Sequence, residues 1–191
     1  MNPLGFLRSI KNSLNAAGGQ GFLRSVKIPL TDLKTAAGLT LTAGTNPLLA
    51  ALETNAVGLQ WAAGDATAAL LNFTVPLDYD QEADRLEIVF LVNSAANADS
   101  PILDATVYRK RAGTALSADL DPTASAAIPK SATAATAAAE RSIVLSGKGL
   151  RPRDVLSAKI VPGTHATDAV NVYGVEVRYR STLVAYAQAD R

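Results

Sequence analysis

The chain contains no cysteine, a single histidine, few aromatic residues and no long apolar run. Without cysteine it has no disulfide bond, no thiolate metal ligand and no cysteine nucleophile. No segment approaches the roughly 20 consecutive apolar residues of a membrane-spanning helix, and the N-terminus lacks the apolar core of a secretion signal. We therefore expect a soluble protein, without a membrane partner, that is made in the cytoplasm.

The chain also has no excess of positive or negative charge, since it contains 18 basic and 17 acidic residues. This balance disfavours sequence-independent binding to nucleic acid, which depends on neutralising many phosphates. The 191 residues suffice for one compact domain with a substantial core. Because aromatic residues make up only 5% of the chain, that core must consist mostly of Val, Leu and Ile.

An internal repeat lies near the N-terminus, where Gly5–Lys11 (GFLRSIK) recurs as Gly21–Lys27 (GFLRSVK) after a spacer that contains two glycines. The first copy has the apolar spacing of a short amphipathic helix, whereas the second alternates like a strand. We expect residues 1–25 to form an arm that is mobile, packs on the body, or docks on a partner subunit. A membrane-surface helix is disfavoured by the thin basic face. The candidate partner-binding residues are Phe6, Leu7, Arg8, Ile10, Phe22, Leu23 and Arg24.

The rest of the chain, residues 26–191, has the pattern of strands joined by turns. Two β-prone runs, 70–75 and 85–92, flank a polar turn and predict neighbouring strands. The clearest alternation lies at 170–180, where Val175, Val177 and Tyr179 share one face and charged residues share the other. About eight short strands without intervening helices predict an all-β fold, an antiparallel β-sandwich of jelly-roll type. Further runs lie at 39–42, 57–61, 102–111, 142–146 and 154–161, with a helical turn expected at 48–52.

Residues 113–140 are dominated by Ala, Thr, Ser, Asp and Pro. Such a segment buries little apolar area, so we expect a long surface connection, with a short alanine-rich helix near 135–141.

No cluster of residues indicates catalysis. Asp78, Asp80, Glu82 and Asp84 are spaced as at the start of a calcium loop, but Ala83 and Val89 stand where that loop requires Gly and Glu. We expect these carboxylates to lie in solvent at a hairpin tip, and His165, the one histidine, to lie in an exposed loop. We predict no catalytic residue, no cofactor, no metal site and no enzymatic activity.

The aromatic residues offer two interpretations. Placed outward on one sheet, they would form a platform for a carbohydrate, but core packing is the commoner use of aromatic residues in strands. The residues concerned are Trp61, Tyr79, Tyr108, Tyr173 and Tyr179.

The order of strand and turn motifs resembles that of the jelly-roll head-decoration, or cement, proteins of tailed bacteriophages. The motifs are an early IPLTDL, then GTN, a strand end FTVPLDY, TVYR, and LRPRDVL before a valine-rich final strand. The resemblance runs from about residue 26 to 185, and the N-terminal repeat departs from it.

This resemblance implies a virion structural protein that decorates an icosahedral capsid and bridges its subunits. The implied partners are the major capsid protein and further copies of this chain in a homotrimer, with localisation on the capsid surface. Multivalent attachment would let modest contacts sum to tight binding. The alternative is a tail-fibre or surface carbohydrate-binding β-sandwich, which requires aromatic and polar side chains facing solvent together.

Overall fold

The computed structural model describes residues 22–53, 56–94, 98–129 and 138–182, and the structural statements below concern these residues. Within them the chain forms ten strands and a single turn of 3-10 helix at Leu30–Asp32. The strands are β1 (Phe22–Ile28), β2 (Lys34–Thr35), β3 (Leu48–Glu53), β4 (Ala56–Trp61), β5 (Ala69–Thr74), β6 (Leu86–Ser94), β7 (Leu103–Lys110), β8 (Ala139–Val144), β9 (Val155–Pro162) and β10 (Val170–Ser181).

The strands form two antiparallel sheets that pack face to face. Sheet A has the order β3-β4-β10-β6-β8, with β1 paired to the later part of β10. Sheet B has the order β2-β5-β9-β7. The two inner faces share one hydrophobic core, whose large members include Trp61 and Phe90 from sheet A and Leu71 from sheet B. The predicted all-β sandwich is therefore confirmed.

The strand order is that of a jelly roll. The chain alternates between sheets, with β4, β6 and β10 in sheet A and β5, β7 and β9 in sheet B. Residues 117–128 run along the outer edge of β7 without regular pairing. A chain that alternates between two packed antiparallel sheets in this way has the arrangement of double-sheet jelly rolls.

The prediction that the runs at 70–75 and 85–92 form neighbouring strands is wrong. They correspond to β5 and β6, which lie in opposite sheets. The intervening polar residues cross from one sheet to the other, as jelly-roll connections do. The expected helical turn at 48–52 is also wrong, because these residues form β3 and pair with β4. The run at 39–42 contributes only an isolated bridge at Thr40.

The face assignment for β10 is confirmed. Val175, Val177 and Tyr179 are 5%, 2% and 4% exposed and belong to the core. Glu176 and Arg178, on the other face, are half-buried. A run of β-branched residues on one face suits a pleated surface that packs against a second sheet.

The Ala-rich connection that precedes β8, whose residues 117–128 lie along β7, protects the outer edge of sheet B. The backbone N–H groups of Ser117, Leu120 and Ser125 donate to carbonyls of β7, and Ile128 donates to the carbonyl of Pro101 just before it. In return, N–H groups of β7 donate to side-chain oxygens of this connection, over 2.8–2.9 Å. An exposed sheet edge invites pairing with other chains, so the connection shields it. The three acceptors are the side chains of Ser117, Asp119 and Ser125.

The predicted helix near 135–141 is not found where the structure describes the chain, because residues 139–141 belong to β8. Residues 130–137 lie outside the described part. Likewise residues 22–25, assigned above to the arm, are part of β1 and pair with β10. Residues 1–21 lie outside the described part. Over the described residues, no helix has the length and apolar character needed to cross a membrane.

Candidate functional site

A groove of about 530 Å³ lies on the outer face of sheet A, where β10, β6 and β8 meet the end of β1. Its volume falls within the range of small-molecule binding sites. It crosses the strands instead of running along one of them, so each strand contributes a few side chains. The lining residues are Lys27, Ile28, Pro29, Leu30, Val89, Leu91, Glu140, Tyr173, Gly174, Val175 and Glu176.

A β-bulge in β10 shapes the floor of this groove. The pairing between β10 and β6 shifts register between Val172 and Gly174, so that Val172 pairs with Val92 but Gly174 with Leu91. Bulges of this kind redirect side chains, and here Tyr173 lies at the shift. A Cβ atom built on Gly174 would meet no heavy atom within 4 Å. The missing side chain at this position therefore leaves the floor of the groove open.

The floor is apolar. Leu91 of β6 is 42% exposed, although it lies in the middle of a central strand, and Val89 lies beside it on the same face. Tyr173 is half-buried and adds part of its ring. An exposed leucine on a regular strand, next to an aromatic ring, is a surface on which an apolar ligand face can rest.

Charged side chains border the floor. Lys27 of β1 pairs with Glu176 of β10, and Glu140 lies opposite Leu91 on β8. Arg178 links the two carboxylates, with Nη1 3.2 Å from Glu140 Oε2 and Nη2 2.5 Å from Glu176 Oε1. The hydrogen bonds to Glu140 and then to Glu176 raise the pKa of Arg178. This network holds two hydrogen-bonding carboxylates at fixed positions beside the groove.

A row of amide side chains continues from Tyr173 across the same face of sheet A. Asn93 Nδ2 donates to Tyr173 Oη over 3.1 Å, and Asn171 Nδ2 donates to Asn93 Oδ1 over 3.2 Å. At the far end Gln60 Nε2 donates to Asn171 Oδ1 over 2.9 Å. Asn93 and Asn171 are buried, at 1% and 6% exposed. Each amide orients the next, and the last of them orients the tyrosine hydroxyl.

The three predicted partner-binding residues that the structure describes do not line this groove. Phe22, Leu23 and Arg24 lie on β1, upstream of the groove-lining Lys27. Phe22 and Leu23 are 40% and 59% exposed, and Arg24 forms an ion pair with Asp78 over 2.8 Å. The other predicted residues, Phe6, Leu7, Arg8 and Ile10, lie outside the described residues.

The groove residues could have been recognised only in part from the sequence. Val172, Tyr173, Gly174 and Val175 break the alternation of β10 by one residue, which is the signal of a bulge. Nothing in the sequence indicates that Lys27 and Glu140 lie on the same face as Tyr173, because they come from distant strands.

The aromatic residues divide between core packing and a position suited to a carbohydrate platform. Trp61, Tyr79 and Tyr179 are buried in the core, at 0%, 1% and 4% exposed. Trp61 Nε1 donates to the carbonyl of Thr67 over 2.7 Å. Burial and the neighbouring Asp78 carboxylate raise the pKa of Tyr179 to about 12. Of the five residues considered, Tyr173 is the one that lines the groove.

The expectation that the carboxylates at 78–84 lie in solvent is wrong for two of them. Asp78 accepts hydrogen bonds from Ser181 Oγ at 2.6 Å and from Tyr179 Oη at 2.9 Å. Burial alone would raise the pKa of Asp78, but these bonds and the one from Arg24 outweigh it and lower the pKa. Asp84 accepts from Tyr79 Oη at 2.9 Å and from the N–H of Gly149 at 3.0 Å. These two carboxylates hold turns against strands.

His165 lies in a loop as predicted, but the predicted exposure is wrong. It is 3% exposed, with Nδ1 2.7 Å from the Gly163 carbonyl oxygen and Nε2 3.1 Å from that of Ala62. The ring thus connects two loops at one end of the sandwich. Across the described ranges, no group of three or more His, Cys, Asp or Glu side chains is placed to hold a metal ion.

No family model matches the chain, and no curated protein matches its sequence. Several solved structures are similar to it. A xylan-binding module, CBM15, is 13% identical, with a TM-score of 0.46, over 86% of this chain and 100% of that one. The CBM22-1 xylan-binding domain of Xyn10C from Paenibacillus barcinonensis is 16% identical, with a TM-score of 0.44, over 83% and 87%.

A third similar structure contains the CBM22-1 and GH10 modules of the N-terminal endo-1,4-β-D-xylanase 10B of Clostridium thermocellum, complexed with xylohexaose. It is 13% identical, with a TM-score of 0.47, over 87% of this chain and 30% of that one. At these identities and scores, the similarities carry no information about what this chain binds.

Proposed function

We propose that this protein is a carbohydrate-binding β-sandwich whose ligand lies in the groove on the outer face of sheet A. The observation that carries the proposal is the composition of that groove. An outward tyrosine and an exposed leucine form its floor, and charged hydrogen-bonding groups stand beside them on neighbouring strands.

The chemistry of a sugar ring matches this composition. A pyranose has C–H groups on its faces and hydroxyls around its rim, so it needs an apolar surface below and hydrogen-bonding groups beside it. Tyr173 and Leu91 offer that surface, and Glu140, Glu176 and Lys27 are placed to bond hydroxyls. Hydrogen bonds to charged groups are the stronger kind, and a site on regular strands holds them in a fixed geometry.

The charges of the groove favour a neutral polymer. Glu140 and Glu176 are balanced by Lys27 and by Arg178, which pairs with both carboxylates, so the site has no net charge to attract a polymer of uronic acids. The groove also crosses four strands on the outer face of the sheet, so a ligand that extends beyond one sugar ring would lie across them. We therefore propose a neutral, unbranched polysaccharide as the ligand.

Electrophoresis of the native protein through gels containing a soluble polysaccharide tests this proposal. We would compare neutral xylan, galactan and mixed-linkage glucan with polygalacturonate. At least one neutral polymer should retard the protein, and Gly174→Leu should abolish the retardation, because it adds a large side chain to the groove lining where a Cβ meets no other atom. Gly44→Leu is the matched control, since Gly44 has equally open surroundings and does not line the groove. Equal retardation of both variants, or no retardation by any polymer, would contradict the proposal.

A second candidate function is decoration of a phage capsid as a homotrimer bound to the major capsid protein. One observation favours it: Phe22, Leu23 and Val26 are 40%, 59% and 45% exposed on a single edge strand. Phe22 and Val26 lie on one face of this strand and Leu23 on the other, and exposed apolar side chains on an edge strand suit contact with another protein. Decoration requires neither the groove nor a sugar.

Light scattering on the purified protein, with and without residues 1–25, tests this second candidate. A trimer that dissociates when the segment is removed is the expected result. A monomer that also fails to bind purified capsid shells would exclude the decorating function.

A further inference from the structure

The second copy of the repeat forms most of β1, which pairs with one edge of β10. Residues 22–28 pair antiparallel with Val175–Ser181, placing Val26 opposite Val177 and Lys27 opposite Glu176. Arg24 Nη1 contacts Asp78 Oδ2 at 2.8 Å. These contacts are a backbone ladder, one ion pair and one pair of opposite charges.

Pairing with β10 constrains few of the other side chains of β1. Every residue from Phe22 to Lys27 is exposed, and only Ile28, at the end of β1, is half-buried. The pairing therefore depends on main-chain hydrogen bonds together with the ion pair between Arg24 and Asp78. Strand addition to a sheet edge works in this way, with specificity set by a few side-chain positions.

The first copy of the repeat matches the second over the exposed positions of β1, but Asn12 stands where β1 has the half-buried Ile28. Gly5–Lys11 differs from Gly21–Lys27 at one position, Ile10 in place of Val26. Arg8 is the counterpart of Arg24, and Lys11 that of Lys27. We propose that residues 5–11 are a second ligand for the β10 edge, which they occupy in exchange with residues 21–27 of the same chain.

The connection between the copies permits this exchange. When residues 5–11 lie on β10, residues 12–28 form a loop that returns to Pro29. Lengthening a loop raises its closure free energy only slowly, so the exchanged arrangement is a minor one and remains accessible. Exchange releases Phe22 and Leu23 from the sheet, and the N-terminal segment then has two alternative attachment points.

Engineered cysteine pairs test the exchange, because the chain has no cysteine of its own. Ser25 and Arg178 are cross-strand partners, so Ser25→Cys with Arg178→Cys should form a disulfide and serves as the reference. Ser9 is the repeat counterpart of Ser25. Ser9→Cys with Arg178→Cys should form an intrachain disulfide several times faster than Ser13→Cys with Arg178→Cys, in which the first cysteine lies in the spacer. An equal rate for the Ser9 and Ser13 pairs, or a disulfide that joins two chains, would overturn the proposal.

Charge reversal supplies a second readout. Arg24→Glu places a carboxylate beside Asp78, so it should displace residues 21–27 and speed formation of the Ser9–Arg178 disulfide several times. Arg8→Glu should slow the same reaction. If Arg24→Glu leaves the rate unchanged, the two copies do not compete for β10 and the proposal fails.

Discussion

Single residues determine this fold mainly by which face of a strand they occupy. Val177 illustrates this, since it is 2% exposed between the two sheets, whereas its neighbours on β10 are half-buried. The alternation in the sequence was enough to place it. His165 shows the opposite case, because its burial depends on carbonyls of two loops, one of them about a hundred residues away in the chain. Local sequence patterns do not contain that information.

The substitution Val177→Asp should prevent folding, because it buries a carboxylate without a partner in an apolar core. We expect a loss of about 3 kcal/mol or more in the free energy of unfolding. Chemical denaturation followed by tryptophan fluorescence measures it. Val57→Asp is the control, since Val57 is 68% exposed, and it should leave stability almost unchanged. A native-like, stable Val177→Asp protein would mean that the face assignment of β10 is inverted.

Arg111 and Asp154 form a buried ion pair that predicts a further effect. Asp154 is 1% exposed, and Arg111 contacts both of its oxygens at 2.7 Å. Burial alone would raise the pKa of Asp154, but the hydrogen bonds from Arg111 and from the N–H of Arg151 lower it. A lowered pKa means that the carboxylate stabilises the fold above its unfolded pKa and that this contribution is lost as the pH falls.

Arg111→Met should leave the Asp154 carboxylate buried and unpaired, with a loss of about 3–5 kcal/mol at neutral pH. Without Arg111, burial raises the pKa of Asp154, so the variant gains a proton there first and the deficit relative to the unchanged protein should shrink as the pH falls from 7 to 3. Urea denaturation at pH 7 and pH 3 measures both values. Arg151→Met, at an exposed side chain, is the control. A deficit that is the same at both pH values would show that the effect does not arise from Asp154.

The sequence predicts the strands and their connections less completely than it predicts which face of a strand a residue occupies. The positions of β4, β5, β6, β7, β9 and β10 were predicted, because each has a β-prone run of apolar residues. The placement of β5 and β6 in opposite sheets was not predicted, because two adjacent runs joined by a polar turn fit a hairpin equally well. The strand β3 resembles a helix locally, with Leu and Ala in its sequence, and it is a strand because β4 offers it an edge.

The Ala-rich connection was expected to be a surface segment, and its role at the edge of β7 was missed. Ser and Asp side chains take the place of backbone carbonyls as acceptors for this strand. Such side-chain to backbone bonds leave no periodic signal in the sequence.

Ser125→Ala should destabilise the fold by about 1–2 kcal/mol, because it leaves the N–H of Leu103 buried without its acceptor. Thermal unfolding followed by circular dichroism measures this loss. Ser146→Ala is the control, since Ser146 is exposed in a turn. If both variants melt at the same temperature, the side chain of Ser125 does not stabilise this edge.

At the scale of the whole molecule, the jelly-roll sandwich was predictable from strand number and the absence of helical periodicity. The groove on sheet A was not, because it is formed by residues from β1, β6, β8 and β10 that only the fold brings together. The two proposed functions, sugar binding and attachment to a capsid, use different surfaces of the molecule. Sugar binding involves the outer face of sheet A, whereas attachment to a capsid involves the exposed side chains of β1.

Backbone amide chemical shifts of the full chain, followed during titration with xylohexaose, cellohexaose and a galactan oligomer in turn, test the proposed carbohydrate site. We expect one of these neutral oligosaccharides to move the amide signals of Leu91, Tyr173 and Gly174 and to leave sheet B unchanged. Saturable shifts confined to sheet B, or no shift with any of the three, would contradict the placement of a carbohydrate site on sheet A.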